Sequence, residues 1–301
     1  MMVIFPVEVT DEVLLSSNVA EDDAPEWDAG ATYEKGDVVI KASSHRKWES
    51  VIDGNTGIDP EEDEADPPRW LALGSTNRYA MFREPIQDTT TCDTEIVVEL
   101  AVGLIRGVAF FAVDAAQIEM ELTSPEEGVV WSRTTNLVFD SNVDDYYEYF
   151  FDPPVRQTDF IALDVPPYGA GTLRIRISSP SGPVSIGWMA FGPARYIGAT
   201  RYGAQFSITD FSIKEYDTFG RQIRRKRNYA KRATAELWVK NGLVEGVFQE
   251  LARRRSDLLV WATVEEWLPG ITLLAGHYKD YGVIANYPRE TNLFVEIEGM
   301  T

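Results

Sequence analysis

Within residues 1–20, Val3, Phe5, Val7 and Val9 recur at every second position, the period of a strand, and a turn follows them. Residues 27–74 carry their own punctuation: a strand at Asp37–Lys41, a turn at Ser43–Ser44, a strand at Lys47–Ile52, a DGNTG turn at 53–57, a solvated acidic loop PEEDEADPP at 60–68, and a closing RWLALG. Residues 95–195 read as all-β. Strands are predicted at Glu95–Val102, Gly107–Val113, Gln117–Thr123, Val129–Thr135, Tyr146–Phe151, Asp159–Asp164, Thr172–Ser178 and Val184–Phe191, separated by turn signals such as SPEEG, PPYGAG and SPSGP. Beyond residue 205 the pattern changes. Phe206, Ile208 and Phe211 begin a strand, DTFG turns, and Ala233–Val239 is another strand. Leu243, Val244, Val247, Phe248 and Leu251 then recur at helical spacing opposite Glu245, Gln249, Glu250, Arg253 and Arg254, which predicts one amphipathic helix with basic residues at its C-terminal end. Strands at Leu258–Ala262, Leu273–Tyr281 and Leu293–Gly299 complete the chain.

These patterns predict a mainly β, multidomain protein: an N-terminal strand and acidic lead (1–26), a small three-stranded unit (27–75), a β-sandwich (76–204) and a C-terminal α+β unit with one amphipathic helix (205–301). The small unit is short for a core, so Trp27, Tyr33, Trp48 and Trp70 must supply much of its packing.

Composition narrows the class. The chain has 301 residues, 44% of them hydrophobic, which is too many for disorder. A single cysteine, Cys92, excludes an internal disulfide framework and a Cys-rich zinc site. No apolar run reaches the ~20 residues of a membrane span, and the apolar start lacks the preceding basic region of a secretory signal. Charge is divided unevenly: residues 201–301 hold 15 basic and 13 acidic side chains, so the net −20 of the chain comes from residues 1–200, at −22. Such an acidic surface argues against nucleic acid as a partner for that part. The basic exception is Arg221, Arg224, Arg225, Lys226, Arg227, Lys231 and Arg232, all within twelve residues. It reads as a nucleic-acid patch or as the complement of an acidic neighbour, in this chain or in another subunit, and the adjacent −22 favours the second.

Signs of catalysis are few. His45 and His277 fall in different predicted units, and no G-x-S-x-G, H-E-x-x-H, P-loop or G-x-G-x-x-G pattern is present. Cys92 lies in the polar run TTTCDT and reads as an ordinary thiol. Asp144, Asp145, Glu148 and Asp152 cluster with Tyr146, Tyr147, Tyr149, Phe150 and Phe151, an acid-and-aromatic group of the kind found in sugar clefts, though 48 acids make chance clusters common. Asp140, Asp144 and Asp145, with Asn142, could offer oxygen ligands to Ca²⁺, but their spacing is not that of an EF-hand loop. No cofactor is expected. The four aromatics of the small unit are the better binding candidates, because planar side chains stack on the apolar faces of sugar rings.

Residues 27–71 resemble the small chitin-binding-type carbohydrate-binding modules. Trp27, Tyr33, Gly36, Asp37, Val38, Val39, Trp48, Pro68 and Trp70 carry the resemblance, while Leu71 stands where such modules often have a second adjacent aromatic. The whole arrangement is similar to tail or baseplate proteins of long-tailed bacteriophages. The similarity lies in the lead TDEVLLSSNVAEDDAPEW, the exit WLALGSTNRYAMFRE, the segment YGAQFSITDFSIKEYDTFGRQIRRKRNYAKR and the terminal EIEGM. It implies a structural subunit of the virion, made in the host cytoplasm, with no enzymatic activity. Its partners would be other tail proteins and further copies of itself, and its sandwich would be jelly-roll-like. The four aromatics would contact host surface polysaccharide, and the basic stretch would make subunit contacts. The alternatives are a glycan-binding adhesin and, third, a glycoside hydrolase working through the 144–152 acids.

Overall fold

A computed structural model describes residues 1–300 except 87, 138–146, 148–149, 151–155, 181, 217, 264–268 and 285–289. The fold is mainly β and its ladders are antiparallel. Strands Gly128–Asn136, Gln117–Ser124, Gly171–Ser178, Glu95–Val102 and Leu14–Ser17 lie side by side in that order. In Glu95–Val102 and Gln117–Ser124 every second residue is buried, as strict alternation requires of a sheet with one wet face.

Behind this sheet lies a smaller one, Phe160–Ala162, Gly107–Phe111 and Trp188–Gly192 in that order. All five residues of Gly107–Phe111 and of Trp188–Gly192 are buried, and both runs lack polar side chains. Their alternation is used twice. Val108, Phe110, Met189 and Phe191 enter a core shared with Ile96, Val98, Leu100, Ile118, Met120 and Leu122 of the outer sheet. Ala109, Phe111, Trp188 and Ala190 enter a second core with Ile4, Val260, Ala262, Leu273 and Ala275.

That second core rests on a third sheet, in the order Ala194–Tyr196, Met2–Ile4, Leu259–Ala262, Leu273–Ile284, Glu290–Gly299, Tyr229–Lys240, with Gln205–Asp210 and Ala199–Thr200 pairing along Tyr229–Lys240. Its opposite face buries Val3, Leu259, Trp261, Leu274, Leu293, Val295 and Ile297 under helix Asn241–Arg253, with Val247 and Leu251 reaching down from the helix. The body is thus a stack of three sheets and a helix in which neighbouring layers share cores.

Several boundaries differ from the sequence expectation. The stretch Val184–Phe191, expected as one strand, is two: Val184–Ile186 pairs with Thr90–Cys92, and Trp188–Gly192 joins the buried sheet. Gly187 makes the crossing possible, since a Cβ there would lie 2.5 Å from the Ile86 carbonyl oxygen and 2.9 Å from the Ala112 Cβ. The first strand stops at Ile4 and a second begins at Leu14. Met2–Ile4 is hydrogen-bonded between Ala194–Tyr196 and Leu259–Ala262, so it belongs to the C-terminal sheet and not to a lead. Of the predicted strand Tyr146–Phe151 only Tyr147 and Phe150 are described, and both are helical and exposed rather than in a strand.

The small unit holds a three-stranded sheet, Val38–Lys41, Arg46–Ser50 and Trp70–Ser75, and a short pair, Thr32–Tyr33 with Asn55–Thr56. Asp63 pins the acidic loop to it. Its carboxylate accepts the backbone N–H groups of Ala65, Arg69 and Trp70. Burial pushes the Asp63 carboxyl up, and these backbone donors outweigh it and hold the group below its ordinary value.

Candidate interaction surfaces

The four aromatics of the small unit are largely engaged in its packing. Trp70 is buried, 3% exposed, and its Nε1 donates to the Ile58 carbonyl at 3.0 Å. Tyr33 meets the Trp70 ring edge-on at 5.3 Å, and its hydroxyl accepts the Asp28 N–H at 2.7 Å. Trp27 and Trp48 are half-buried, the Lys41 ammonium lies 5.9 Å from the Trp27 ring centroid, and the Nε1 atoms of both tryptophans are buried. Three of the four therefore keep a partly wet face. The apolar side chains this unit shows most openly are instead Leu71, 50% exposed, and Leu73, on the edge strand Trp70–Ser75.

The small unit meets the body through a polar joint. His45, held in the left-handed region at φ 56°, stacks on Tyr79 with ring centroids 3.6 Å apart. Its two ring nitrogens lie 2.8 Å from the Glu21 carboxylate and 3.0 Å from that of Asp11. Tyr79 donates its hydroxyl to Asp11 at 2.5 Å. This bond, opposed by burial and aided by His45, holds the Asp11 carboxyl below its usual range, while burial and then Asp11 push the Tyr79 phenol up. Beside the joint opens a cleft of about 900 Å³ between Arg46, Glu61 and Ala72 of the small unit and Val7, Arg83 and Asp257 of the body. Trp27, Tyr33, Trp48 and Trp70 are not among its walls.

The basic stretch divides into two parts. Lys231 and Arg232 are internal: Lys231 Nζ donates to the buried Asp159 carboxylate and, at 2.7 Å, to the Gly270 carbonyl, and Arg232 pairs with Glu298 at 3.0 Å. Strand Tyr229–Lys240 lies beside Glu290–Gly299 and carries Lys231 over the second core, so both side chains are paired within the chain. Arg221, Arg224, Arg225, Lys226 and Arg227 are exposed on or beside a separate two-stranded hairpin, Ile213–Tyr216 with Gln222–Arg225. It leaves the sheet at Asp210 and returns at Tyr229, pairing with no third strand among the described residues. Arg224 reaches the Gln222 side chain at 2.5 Å, and the side chains of Arg225, Lys226 and Arg227 meet no acid among the described residues.

Sequence reasoning missed the aromatics of this arm. Phe211, Tyr216, Phe219, Ile223 and Tyr229 are exposed, Phe219 at 87% and Tyr216 at 72%. Phe206 and Ile208 lie in strand Gln205–Asp210, as the sequence predicted, and Phe211 falls just beyond it; Ile208 and Phe211 are exposed. The signal was present: Arg224, Arg225, Lys226 and Arg227 occupy consecutive positions, and a strand with charges on successive residues has both faces wet. The helix shows a related departure. Val247 and Leu251 are buried, but Leu243 and Phe248 of the predicted apolar stripe are exposed, Phe248 leaning on Tyr281 at 5.0 Å.

Among the described residues no cluster of His, Cys, Asp and Glu could hold a metal ion, and no helix is long and apolar enough to cross a membrane. Asp140, Asp144, Asp145, Glu148 and Asp152 lie outside the described residues. The sequence matches no protein-family model and no curated protein.

Proposed function

We propose that this protein is a structural subunit of a bacteriophage tail tip or baseplate, made in the host cytoplasm and built into the virion, where its arm contacts a neighbouring subunit. The observation that carries the reading is the Ile213–Tyr216/Gln222–Arg225 hairpin. It combines arginines and open aromatic side chains on a strand pair with no dry face, joined to a chain whose first 200 residues carry the acidic excess. A surface of that composition suits docking onto protein, where aromatics and arginine supply most binding energy. The phage setting rests on the sequence resemblance. With it goes the finer reading of the fold: a carbohydrate-binding-like small unit, a jelly-roll-like sandwich formed by the facing sheets, and an assembly domain from residue 205 onward. The function assigned is fitting against other molecules, with no substrate turned over.

The test is the triple variant Arg224→Glu, Arg225→Glu, Arg227→Glu in assembling particles. Loss of incorporation, with the purified variant keeping its melting temperature, supports the reading; normal incorporation overturns it. A second reading, contact with host polysaccharide, is favoured by the half-wet rings of Trp27, Tyr33 and Trp48. It predicts that Trp48→Ala removes binding to a glycan array while the unit stays folded.

A further inference from the structure

The arm springs from strand Gln205–Asp210 at one edge of the C-terminal sheet, and the cleft beside the small unit opens near the ends of strands Met2–Ile4 and Leu259–Ala262, toward the other. The cleft that separates the small unit from the body is walled by Pro6–Glu8, just after strand Met2–Ile4, and by Ser256–Leu258, just before strand Leu259–Ala262. Counting across from Leu259–Ala262, the order runs through Leu273–Ile284, Glu290–Gly299 and Tyr229–Lys240 to Gln205–Asp210, from which the arm departs. Four strand spacings of about 4.8 Å, roughly 19 Å, separate Leu259–Ala262 from Gln205–Asp210 across the sheet.

The acids of the chain differ in availability. On the outer face of the first sheet, Glu95, Glu99 and Glu119 are already matched by Arg174 and Arg176. In the 60–68 loop, Asp59 and Glu61 are taken by Lys41, and Asp63 by backbone N–H groups. Those bonds order the loop and leave Glu62, Glu64 and Asp66 exposed, with no cation partner among the described residues. Three exposed carboxylates within five residues thus complement Arg224, Arg225, Lys226 and Arg227 in charge.

We propose, building on the assembly reading above, that the neighbour is a second copy of this chain and that the arm of one copy docks on the Glu62–Asp66 loop of the next. The contact is heterologous, head to tail, so it closes into a ring or runs on as a filament according to the rotation per copy. Steering between the −22 half and the basic arm makes association fast and strongly salt-dependent.

Purified full-length protein supplies the test, by sedimentation velocity at low and high salt. The wild type is expected to self-associate at low salt. The arm variant Arg224→Glu, Arg225→Glu, Arg227→Glu and the loop variant Glu62→Lys, Glu64→Lys, Asp66→Lys should each weaken self-association about 100-fold, since like charges then meet. An equimolar mixture of the two variants should associate again, because each arm now finds a loop of opposite sign on the other protein. Unchanged melting temperatures of both variants show that folding is intact. Self-association that survives loop reversal but not arm reversal overturns this proposal and leaves the assembly reading standing. Survival of both reversals, or no self-association with retention of duplex DNA by the arm, overturns the proposal and tells against the reading beneath it.

Discussion

Strand Gly107–Phe111 and strand Gln222–Arg225 are built from the same backbone and stabilised in opposite ways. In the first, Val108 and Phe110 enter one core and Ala109 and Phe111 another, so no face meets water. In the second, every residue is exposed, and among the described residues its one ladder is to Ile213–Tyr216. A two-stranded hairpin alone is marginal in water. The body therefore carries its own reasons for its shape, whereas the arm's shape depends on what it lies against.

The largest effect is expected in the doubly buried layer. Phe110→Ala should destabilise the protein by about 3–5 kcal/mol in urea denaturation. Because the middle sheet belongs to two cores, the outer and C-terminal sheets should unfold in one transition; two separated transitions would break the comparison. Next comes the contrast inside the basic stretch. Lys231→Met strands the buried Asp159 carboxylate and should cost about 1–3 kcal/mol, while Arg225→Glu, six residues away in sequence, should change stability by no more than about 0.5 kcal/mol. Equal costs would mean that the arm is packed after all.

A third case lies between these extremes. Asp63→Asn should destabilise the small unit by about 1 kcal/mol at neutral pH, because its carboxylate anchors three backbone N–H groups. The folded-state carboxyl titrates below its unfolded value, so on acidification the unfolded chain takes up the proton first. The contribution is complete above the unfolded value of about 4 and is lost as pH falls through the lower folded one. A melting series over that window should slope for the wild type and flatten for Asp63→Asn. The smallest effect is expected for Phe219→Ala: a stability change within about 0.5 kcal/mol, despite removal of a phenyl ring, since that residue is 87% exposed.

Much of the body was legible in the chain. The strand Glu95–Val102 was read to the residue, and Gln117–Ser124 and Gly171–Ser178 to within one, because alternating burial leaves a period that survives in sequence. Helix Asn241–Arg253 declared itself in the same way. The break at Gly187 was not legible: the run VSIGWMAF is apolar but for Ser185, and only the approach of Ile86 and Ala112 shows where the chain changes sheets. Partnership across long separations was hidden for the same reason. Nothing local says that Met2–Ile4 pairs with Leu259–Ala262. The basic stretch was visible as charge, but its division into Lys231 and Arg232, paired within the chain, and the exposed Arg221–Arg227 depends on where strand Tyr229–Lys240 begins.

The stack of His45 on Tyr79, flanked by Asp11 and Glu21, has a mechanical consequence. Besides the chain itself, force applied to the small unit reaches the body through rings, side-chain hydrogen bonds and the bond from the Thr76 N–H to the His45 carbonyl, which separate more readily than an interlocked apolar layer yields. Under tension that junction is the fuse of the molecule: it gives first, spares the stacked sheets, and can re-form once the load is gone.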